Sequence, residues 1–161
     1  MSLLRLSRFA RFAAPSGGAG VTNRLLLTMG SPRESIFKNK PIDSVTVPGA
    51  EGTFTLTNNH SLTVSMLKAG VITVREGTTT SDYFVSDGFV FFNNPKDGSG
   101  NCSAEISGVE IVPVAALDKE RAAQMITELN AGAKDSDWAR VRAQLGTNLL
   151  NQVIKASAGG H

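Results

Sequence analysis

Residues 41–92 carry an unbroken series of short β-patterned segments that are separated by glycine-marked turns. Strict alternation of apolar and polar residues at 53–57 and 62–66 gives each of these segments one buried face and one wet face. Residues 89–92 are apolar on both faces and are therefore expected to form a central strand. About ten short strands at this spacing predict a β-sandwich or a flattened barrel.

Two amphipathic segments near the end of the chain predict a pair of helices. Asp118 is a favourable N-cap for the first helix, and residues 135–137 offer caps for the second. The apolar stripes are Ala122, Met125, Ile126 and Leu129 on the first helix, and Trp138, Val141, Leu145, Leu149 and Val153 on the second. The brief connector at 130–133 predicts an antiparallel hairpin whose core is anchored by Trp138. A hairpin this small must dock on the sandwich or on another subunit to be stable.

The first twelve residues combine arginine, serine and large apolar side chains at helix-compatible spacing. This composition is typical of a mitochondrial transit peptide. The alternative is a disordered basic arm that binds nucleic acid or an acidic membrane. We therefore expect a transit peptide and linker at residues 1–21, a β-sandwich domain at 22–114 and an α-helical hairpin domain at 115–161.

The charge of the chain changes once this leader is set aside. The net charge is +2, but five of the 16 basic residues precede Glu34, whereas all 14 acidic residues lie from Glu34 onward. The mature protein is therefore near neutral to mildly acidic and lacks the basic stripe of a nucleic-acid-binding protein. No apolar run approaches the ~20 residues that span a bilayer, so any membrane association must come through partners.

The chain is poor in the residues that carry catalysis and bind metals. Its only histidines are His60 and His161, so neither a Ser/His/Asp set nor a Cys/His set can be assembled. The single cysteine, Cys102, cannot form an internal disulfide, as expected in a reducing compartment. No Cys or His cluster offers metal ligands. We expect no catalytic residue, no metal and no cofactor.

Three segments resemble the mitochondrial delta subunits of F-type ATP synthase, which correspond to the bacterial and chloroplast epsilon subunits. The most specific is VTVPGAEGTFTLTNNH at residues 45–60, which matches the family's V-x-G-x-E-G pattern with its following alternation and histidine. Residues 69–70, Ala-Gly, match the Pro-Gly that ends the next strand, and YFVSDG at residues 83–88 matches a third family motif. The resemblance covers residues 26–156.

The chain departs from this family at three points. Leu62 and Ala69 stand where the family usually has proline, so the loop after His60 is expected to be less rigid. The insertion at residues 94–100 is longer than usual. None of these departures touches the β pattern.

The resemblance implies a non-catalytic subunit at the foot of the central stalk, on the matrix side of the mitochondrial inner membrane. There it would join the gamma subunit to the c-ring and pass torque between them. The resemblance also implies that the helical hairpin docks a small additional epsilon subunit. A stand-alone β-sandwich that binds a small ligand is the alternative from a different class of protein.

The resemblance further implies that two turns lie at the end of the sandwich that faces the c-ring. Their residues are Glu51, Gly52, Thr53, Asn58, Asn59 and His60. Glu51 would pair with a basic residue of the ring. Alternatively, Gly52 sets a turn, Glu51 is a solvated charge and His60 is an ordinary loop histidine.

The start of the first helix resembles the I/L-D-x-x-R-A motif with which some bacterial epsilon subunits bind ATP. The matching residues are Leu117, Asp118, Arg121 and Ala122, and Arg140 or Arg142 on the second helix would add a phosphate contact. The resemblance thus suggests an ATP-sensing hairpin as a second hypothesis. The alternative is a plain N-cap aspartate with an i,i+3 partner.

Overall fold

The computed structural model describes residues 24–95, 100–133 and 136–159, and the proposed transit peptide lies outside these residues. The strands are β1 (Leu25–Gly30), β2 (Ser35–Ile42), β3 (Ser44–Gly49), β4 (Gly52–Thr57), β5 (Thr63–Leu67), β6 (Gly70–Glu76), β7 (Thr79–Val85), β8 (Gly88–Asn93), β9 (Ser103–Gly108) and β10 (Ile111–Pro113). A 3-10 turn at Val114–Ala116 leads to helices α1 (Lys119–Gly132) and α2 (Asp137–Ser157). The predicted fold, a ten-stranded β-sandwich followed by a two-helix hairpin, is confirmed.

The strands form one curled sheet in the order β10-β7-β6-β3-β5-β8-β9-β1-β2, and β4 pairs with β3 beside this path. Every pairing in it is antiparallel except that of β1 with β9, which is parallel. The curl brings the half that contains β6 and β3 over the half that contains β8 and β9. One apolar core lies between the two halves.

The sheet turns from one half to the other at Pro48 in β3. Residues 44–46 of β3 pair with β6, whereas Gly49 pairs with Leu67 of β5. Proline has no backbone N–H to donate, so it fits the point where the neighbouring strand changes. The Pro48 carbonyl accepts the Lys68 N–H at 3.0 Å. A Cβ at Gly70 would lie 2.8 Å from the Pro48 Cβ, so a glycine is needed there for close approach.

The core is filled by the inward residues of both halves. Leu25, Leu27, Met29, Ile42, Val45, Val47, Leu56, Leu67, Ile72, Val85, Val90, Phe92 and Ala104 are all essentially inaccessible to solvent. The alternation seen in the sequence therefore places one side chain in two inside, as a half-buried strand requires. For β4 this holds as predicted, because Leu56 is buried and Thr53, Thr55 and Thr57 are exposed.

In β5 the alternating apolar residues Val64 and Met66 lie on the outer face of the sheet instead of the inner face. Its inner face carries Ser65, which lies opposite Val90, while Val64 and Met66 lie on the outer face and are 65% and 52% exposed. The expectation that the apolar half of every alternating segment is the buried half is wrong here. The register of pairing with β8 decides which face of β5 points inward. Because β8 already supplies large side chains to the core, the inner face of β5 can carry a small polar residue.

β8 is central, as predicted, since it lies between β5 and β9. Only one of its two apolar faces is covered, because Phe89 and Phe91 point to solvent. Pro41 lies near the end of β2, where it pairs opposite Leu26. β2 is the last strand in the order, and a proline is tolerated at such an edge.

The two helices begin at the predicted caps. The Asp118 carboxylate accepts the Arg121 N–H at 2.8 Å, and the Ser136 hydroxyl accepts the Ala139 N–H at 3.1 Å. The helices contact each other through small residues, since Ala122 and Ala143 are buried and Gly146 lies against Leu129. Trp138 is not a core anchor: it is 70% exposed. Small residues allow a close approach of the two helices, and the indole lies outside that contact.

Helix α2 lies against the sandwich at β6 and at the 3-10 turn. Between α2 and the sheet there is an open cleft of about 1080 Å³, with Leu145, Gln152 and Lys155 on the helix side and Thr46 and Thr73 on the sheet side. The hairpin therefore docks on the sandwich only in part. Neither helix of the described chain has the length and apolar character that crossing a bilayer requires.

Candidate functional site

The largest exposed apolar surface of the sandwich lies on the outer side of β5 and β8. It consists of Leu62, Val64, Met66, Phe89 and Phe91, and we refer to it as the β5–β8 face. Val64 lies opposite Phe91 and Met66 lies opposite Phe89, and the two phenylalanine rings stack with centroids 6.4 Å apart. A contiguous apolar patch of this kind is uncommon on a soluble monomer and marks a docking surface.

The β3–β4 turn lies beside this face. Glu51 is exposed at its tip, and Gly52 has a φ of +146°, which disfavours any other residue. The Ala50 N–H donates to the Met66 carbonyl at 2.9 Å, so the turn is fixed against β5. Gly52 therefore shapes the turn, and Glu51 is available to a partner.

The second predicted turn is held by contacts inside the subunit. The Asn58 side chain accepts the Cys102 N–H at 2.8 Å and donates to the Gly100 carbonyl at 2.9 Å. The His60 ring packs edge-on against Phe92, with the centroids 5.4 Å apart. Asn59 has a φ of +71° and is exposed. Only Asn59 of this turn is fully open to a partner.

The two turns lie at opposite ends of β4, because Gly52 begins that strand and Thr57 ends it. Six residues of extended chain separate the ends by roughly 17 Å. The expectation that both turns lie at one end of the sandwich is therefore wrong. What joins them is β4 itself, whose second edge pairs with no other strand among the described residues.

The nucleotide-motif residues do not converge on one site. Asp118 caps α1, and the Arg121 guanidinium lies 3.4 Å from Glu128. Arg140 pairs with Asp137 at 3.0 Å. Leu117 is half-buried and Ala122 is buried in the hairpin. ATP sensing stays a prediction, and the contacts of these residues favour the reading as a helix cap.

Helix α2 presents a second apolar surface, made of Trp138, Val141, Leu145 and Leu149, which we call the α2 stripe. Its members follow the spacing of three and four that the sequence showed, and all four are exposed. Beside Trp138, a groove of about 470 Å³ opens between the helices and is lined by Met125, Leu129 and Arg142.

A polar contact ties Arg24, which precedes β1, to the loop between β2 and β3. The Asp43 carboxylate accepts the Gly77 N–H and pairs with Arg24 at 2.8 Å. The Gly77 hydrogen bond, with the help of Arg24, lowers the pKa of Asp43. No group of three or more His, Cys, Asp or Glu side chains positioned to hold a metal ion exists within the described chain.

The β5–β8 face is not among the surfaces predicted from the sequence. Phe89 and Phe91 were visible as apolar residues, but their exposure follows from which face of β8 meets the core. The unusual run at 89–92, with large apolar residues on both faces, is the signal that two surfaces of this strand need covering.

Comparisons with known proteins agree with this architecture. Residues 25–96 match the family model described as ATP synthase, Delta/Epsilon chain, beta-sandwich domain. The chain is 34% identical to the mitochondrial ATP synthase subunit delta of Caenorhabditis elegans, over 90% of this chain and 86% of that protein. It is 32% identical to the mitochondrial ATP synthase subunit delta' of Pisum sativum, over 86% of this chain and 68% of that protein.

Two solved structures are similar in fold. A chain in the Euglena gracilis mitochondrial ATP synthase structure of OSCP, F1 and c-ring superposes with a TM-score of 0.72 and 24% identity, covering 96% of both chains. A chain in the central stalk and c-ring structure of the Tetrahymena thermophila mitochondrial ATP synthase gives a TM-score of 0.61 and 14% identity, covering 83% of this chain and 96% of that one.

Proposed function

The chain belongs to the delta/epsilon family of ATP synthase subunits, and from this premise we propose that it is a non-catalytic central-stalk subunit of a mitochondrial ATP synthase. In this role it joins the gamma subunit to the c-ring and transmits torque between them. The observation that carries the proposal is the exposed β5–β8 face, because a sheet with large apolar side chains on both sides is built to be covered by a partner.

The β5–β8 face is the surface that we assign to the gamma subunit. It is the most apolar part of the sandwich exterior, and its stacked phenylalanine rings offer rigid anchors. Large, permanent interfaces are apolar in this way, whereas transient ones resemble the rest of the protein surface.

The c-ring contact is assigned to the unpaired edge of β4 and the turns at its two ends. Glu51 lies at one end, Asn59 lies at the other, and Thr53, Thr55 and Thr57 are exposed between them. A partner that lies along this strand reaches both turns, although they do not share one end of the sandwich. Gly52, Asn58 and His60 would then shape this surface rather than touch the ring.

The α2 stripe is assigned to the small additional epsilon subunit. Its Leu145 and Leu149 line the cleft between α2 and the sheet, so the epsilon subunit is expected at the Trp138 and Val141 end of the stripe, apart from the gamma and c-ring partners. A closely packed sandwich suits a torque-bearing position between them, because such interiors have low compressibility and transmit strain.

Residues 1–21 are proposed to be a transit peptide that directs the chain to the matrix, where it is peripheral to the inner membrane through the c-ring. The composition of this segment and the mitochondrial names of the relatives support the proposal. Sequencing the amino terminus of the protein from isolated mitochondria tests it. A chain that still begins at Met1 in the matrix would contradict it.

Native gel electrophoresis of mitochondrial membranes tests the proposed role most simply. A tagged copy of the full chain should co-migrate with the assembled ATP synthase and should be absent from the monomer region. Migration as a free monomer in tightly coupled mitochondria would favour the stand-alone β-sandwich instead.

A further inference from the structure

A carboxylate from the neighbouring strand β9 borders the aromatic part of the β5–β8 face. Glu105 in β9 lies directly opposite Phe91 of β8, and on its other side it is paired with Thr28 of β1. Residues directly opposite each other across two strands share one face of the sheet and have Cβ atoms about 5 Å apart. The carboxylate therefore stands at the rim of the aromatic part of the face.

Glu105 is exposed and forms no ion pair with any residue that the structure describes. The ion pairs among the described residues are Arg24–Asp43, Lys40–Glu76, Arg121–Glu128 and Arg140–Asp137, and none includes Glu105. No hydrogen bond to its side chain is formed by its neighbours on the same face of β9, Ser103 and Ser107. Among the residues that the structure describes, none compensates this charge.

Covering the β5–β8 face changes the surroundings of this carboxylate. A partner in contact with Phe91 displaces water from the side of Glu105 that faces the ring. A carboxylate that loses water without gaining a partner is costly, and a nearby cation offsets that cost. The apolar residues themselves offer no cation, since all five side chains of the face are uncharged.

We propose that the surface of the gamma subunit that covers the β5–β8 face places an arginine or lysine side chain against Glu105. The inference rests on the assignment of this face to the gamma subunit and adds the chemistry of the contact. Apolar packing alone tolerates sliding of one surface over another, whereas one charge pair at the rim fixes the register and selects the partner. Glu105 thus determines specificity, and the aromatic rings supply most of the affinity.

Binding of the co-expressed gamma subunit of the same organism to the full chain tests this inference. Glu105→Gln should weaken binding about tenfold, and Glu105→Lys should weaken it further, mainly through slower association. The wild-type affinity should fall as ionic strength rises from about 50 to about 500 mM, and Glu105→Gln should lose much of that dependence. Glu34→Lys is the matched control, because Glu34 is exposed in the β1–β2 turn and forms no ion pair with the residues that the structure describes.

Thermal unfolding of each variant separates folding from binding, and Glu105→Lys should keep the wild-type midpoint because the side chain is exposed and pairs with no described charge. Restoration of binding to Glu105→Lys by a gamma variant with one Lys or Arg replaced by Glu would support the contact directly.

The apolar variants distinguish the two levels of the proposal. If Phe91→Ser abolishes gamma binding while Glu105→Lys keeps the wild-type affinity and salt dependence, the charge contact is overturned. The assignment of the face to the gamma subunit then still stands. Wild-type binding by both variants overturns both. A third outcome is that the gamma subunit does not bind, whereas sedimentation shows self-association of the chain that Phe91→Ser abolishes. That outcome also overturns both the charge contact and the gamma assignment.

Discussion

The two halves of the sandwich have very different exteriors, although their strands show the same alternation. On one half, a row of polar side chains crosses four strands: Thr55 of β4, Thr46 of β3, Thr73 of β6 and Asp82 of β7. We call this row the threonine face. On the other half, the equivalent positions of β5 and β8 carry the large apolar residues of the β5–β8 face.

The threonine face satisfies its own polar groups. The Thr46 and Thr55 hydroxyls are 2.8 Å apart, and the Thr73 hydroxyl donates to Asp82 at 2.8 Å. The side chains of the β5–β8 face cannot be satisfied by hydrogen bonds within the subunit, because apolar side chains are stabilised only by exclusion of water. The difference shows that a polar exterior can be complete within one subunit, whereas an apolar exterior depends on a second.

The largest expected effect comes from making the apolar face polar. Met66→Ser combined with Phe91→Ser should lower affinity for the gamma subunit by at least about a hundredfold, since exposed aromatic anchors dominate interface energies. The free energy of unfolding of the subunit should fall by no more than about 1–2 kcal/mol, because Met66 and Phe91 are only partly buried. Titration calorimetry and chemical denaturation measure the two quantities.

Thr46→Ala combined with Thr73→Ala on the threonine face is the matched control. These changes should destabilise the subunit by about 1–3 kcal/mol through lost hydrogen bonds and leave gamma binding intact. If the threonine variant lost gamma binding and the apolar variant kept it, the contrast between the faces would be contradicted.

Helix α2 allows a similar comparison between the face that contacts α1 and the exposed face that carries the α2 stripe. A Cβ at Gly146 would lie 2.6 Å from the Leu129 side chain, so Gly146→Val should force the helices apart and cost about 1–3 kcal/mol. Leu145→Ser, one position away on the exposed stripe, should be near neutral for folding. Thermal unfolding followed by circular dichroism checks both, and equal losses would mean that α2 packs on a different face.

Asp43 provides a pH test of a polar contact that is satisfied within the subunit. Its folded-state pKa is lowered from 3.8, so its stabilisation is present above pH 3.8 and is lost as the pH falls below that value through the folded pKa. Asp43→Asn should therefore destabilise the protein at neutral pH, and its difference in melting temperature from the wild type should shrink below pH 3.8. A difference that stays constant down to pH 2 would contradict the assigned contact.

The smallest effect is expected at Thr147 in α2. Its hydroxyl is the only buried side-chain oxygen or nitrogen of the described residues that lacks a hydrogen-bond partner. Thr147→Val keeps the shape and removes the desolvated hydroxyl, so it should stabilise the subunit by up to about 1 kcal/mol. Thr127→Val in α1 is a fair comparison, because the Thr127 hydroxyl donates to the Ala123 carbonyl at 3.2 Å and its loss should bring no gain.

Much of the fold could be predicted from local signals. Alternation at residues 53–57 gave the correct inner and outer sides of β4, and Asp118 was recognised as the cap of α1 from its type and position. Such features depend on neighbours in the sequence. The turn at Gly52 was likewise visible, because a glycine there needs only local backbone geometry to explain it.

Features set by distant pairing could not be predicted in the same way. The exposure of Val64 follows from the register between β5 and β8, and the exposure of Trp138 follows from the small residues that α1 and α2 place between them. The internal role of Asn58 depends on Cys102, which lies 44 residues away. In each case the predicted strand, turn or helix is present, but the burial and contacts of the side chain are set by residues that are distant in the sequence.

Cysteine accessibility tests most directly whether the β5–β8 face is covered in the assembled enzyme. The one native cysteine, Cys102, is buried, so a maleimide should react mainly with an introduced thiol. Val64→Cys should react rapidly in the isolated subunit and be protected in purified ATP synthase, whereas Thr80→Cys, exposed on β7, should react in both. Equal labelling of Val64→Cys in the free subunit and in the complex would contradict the account.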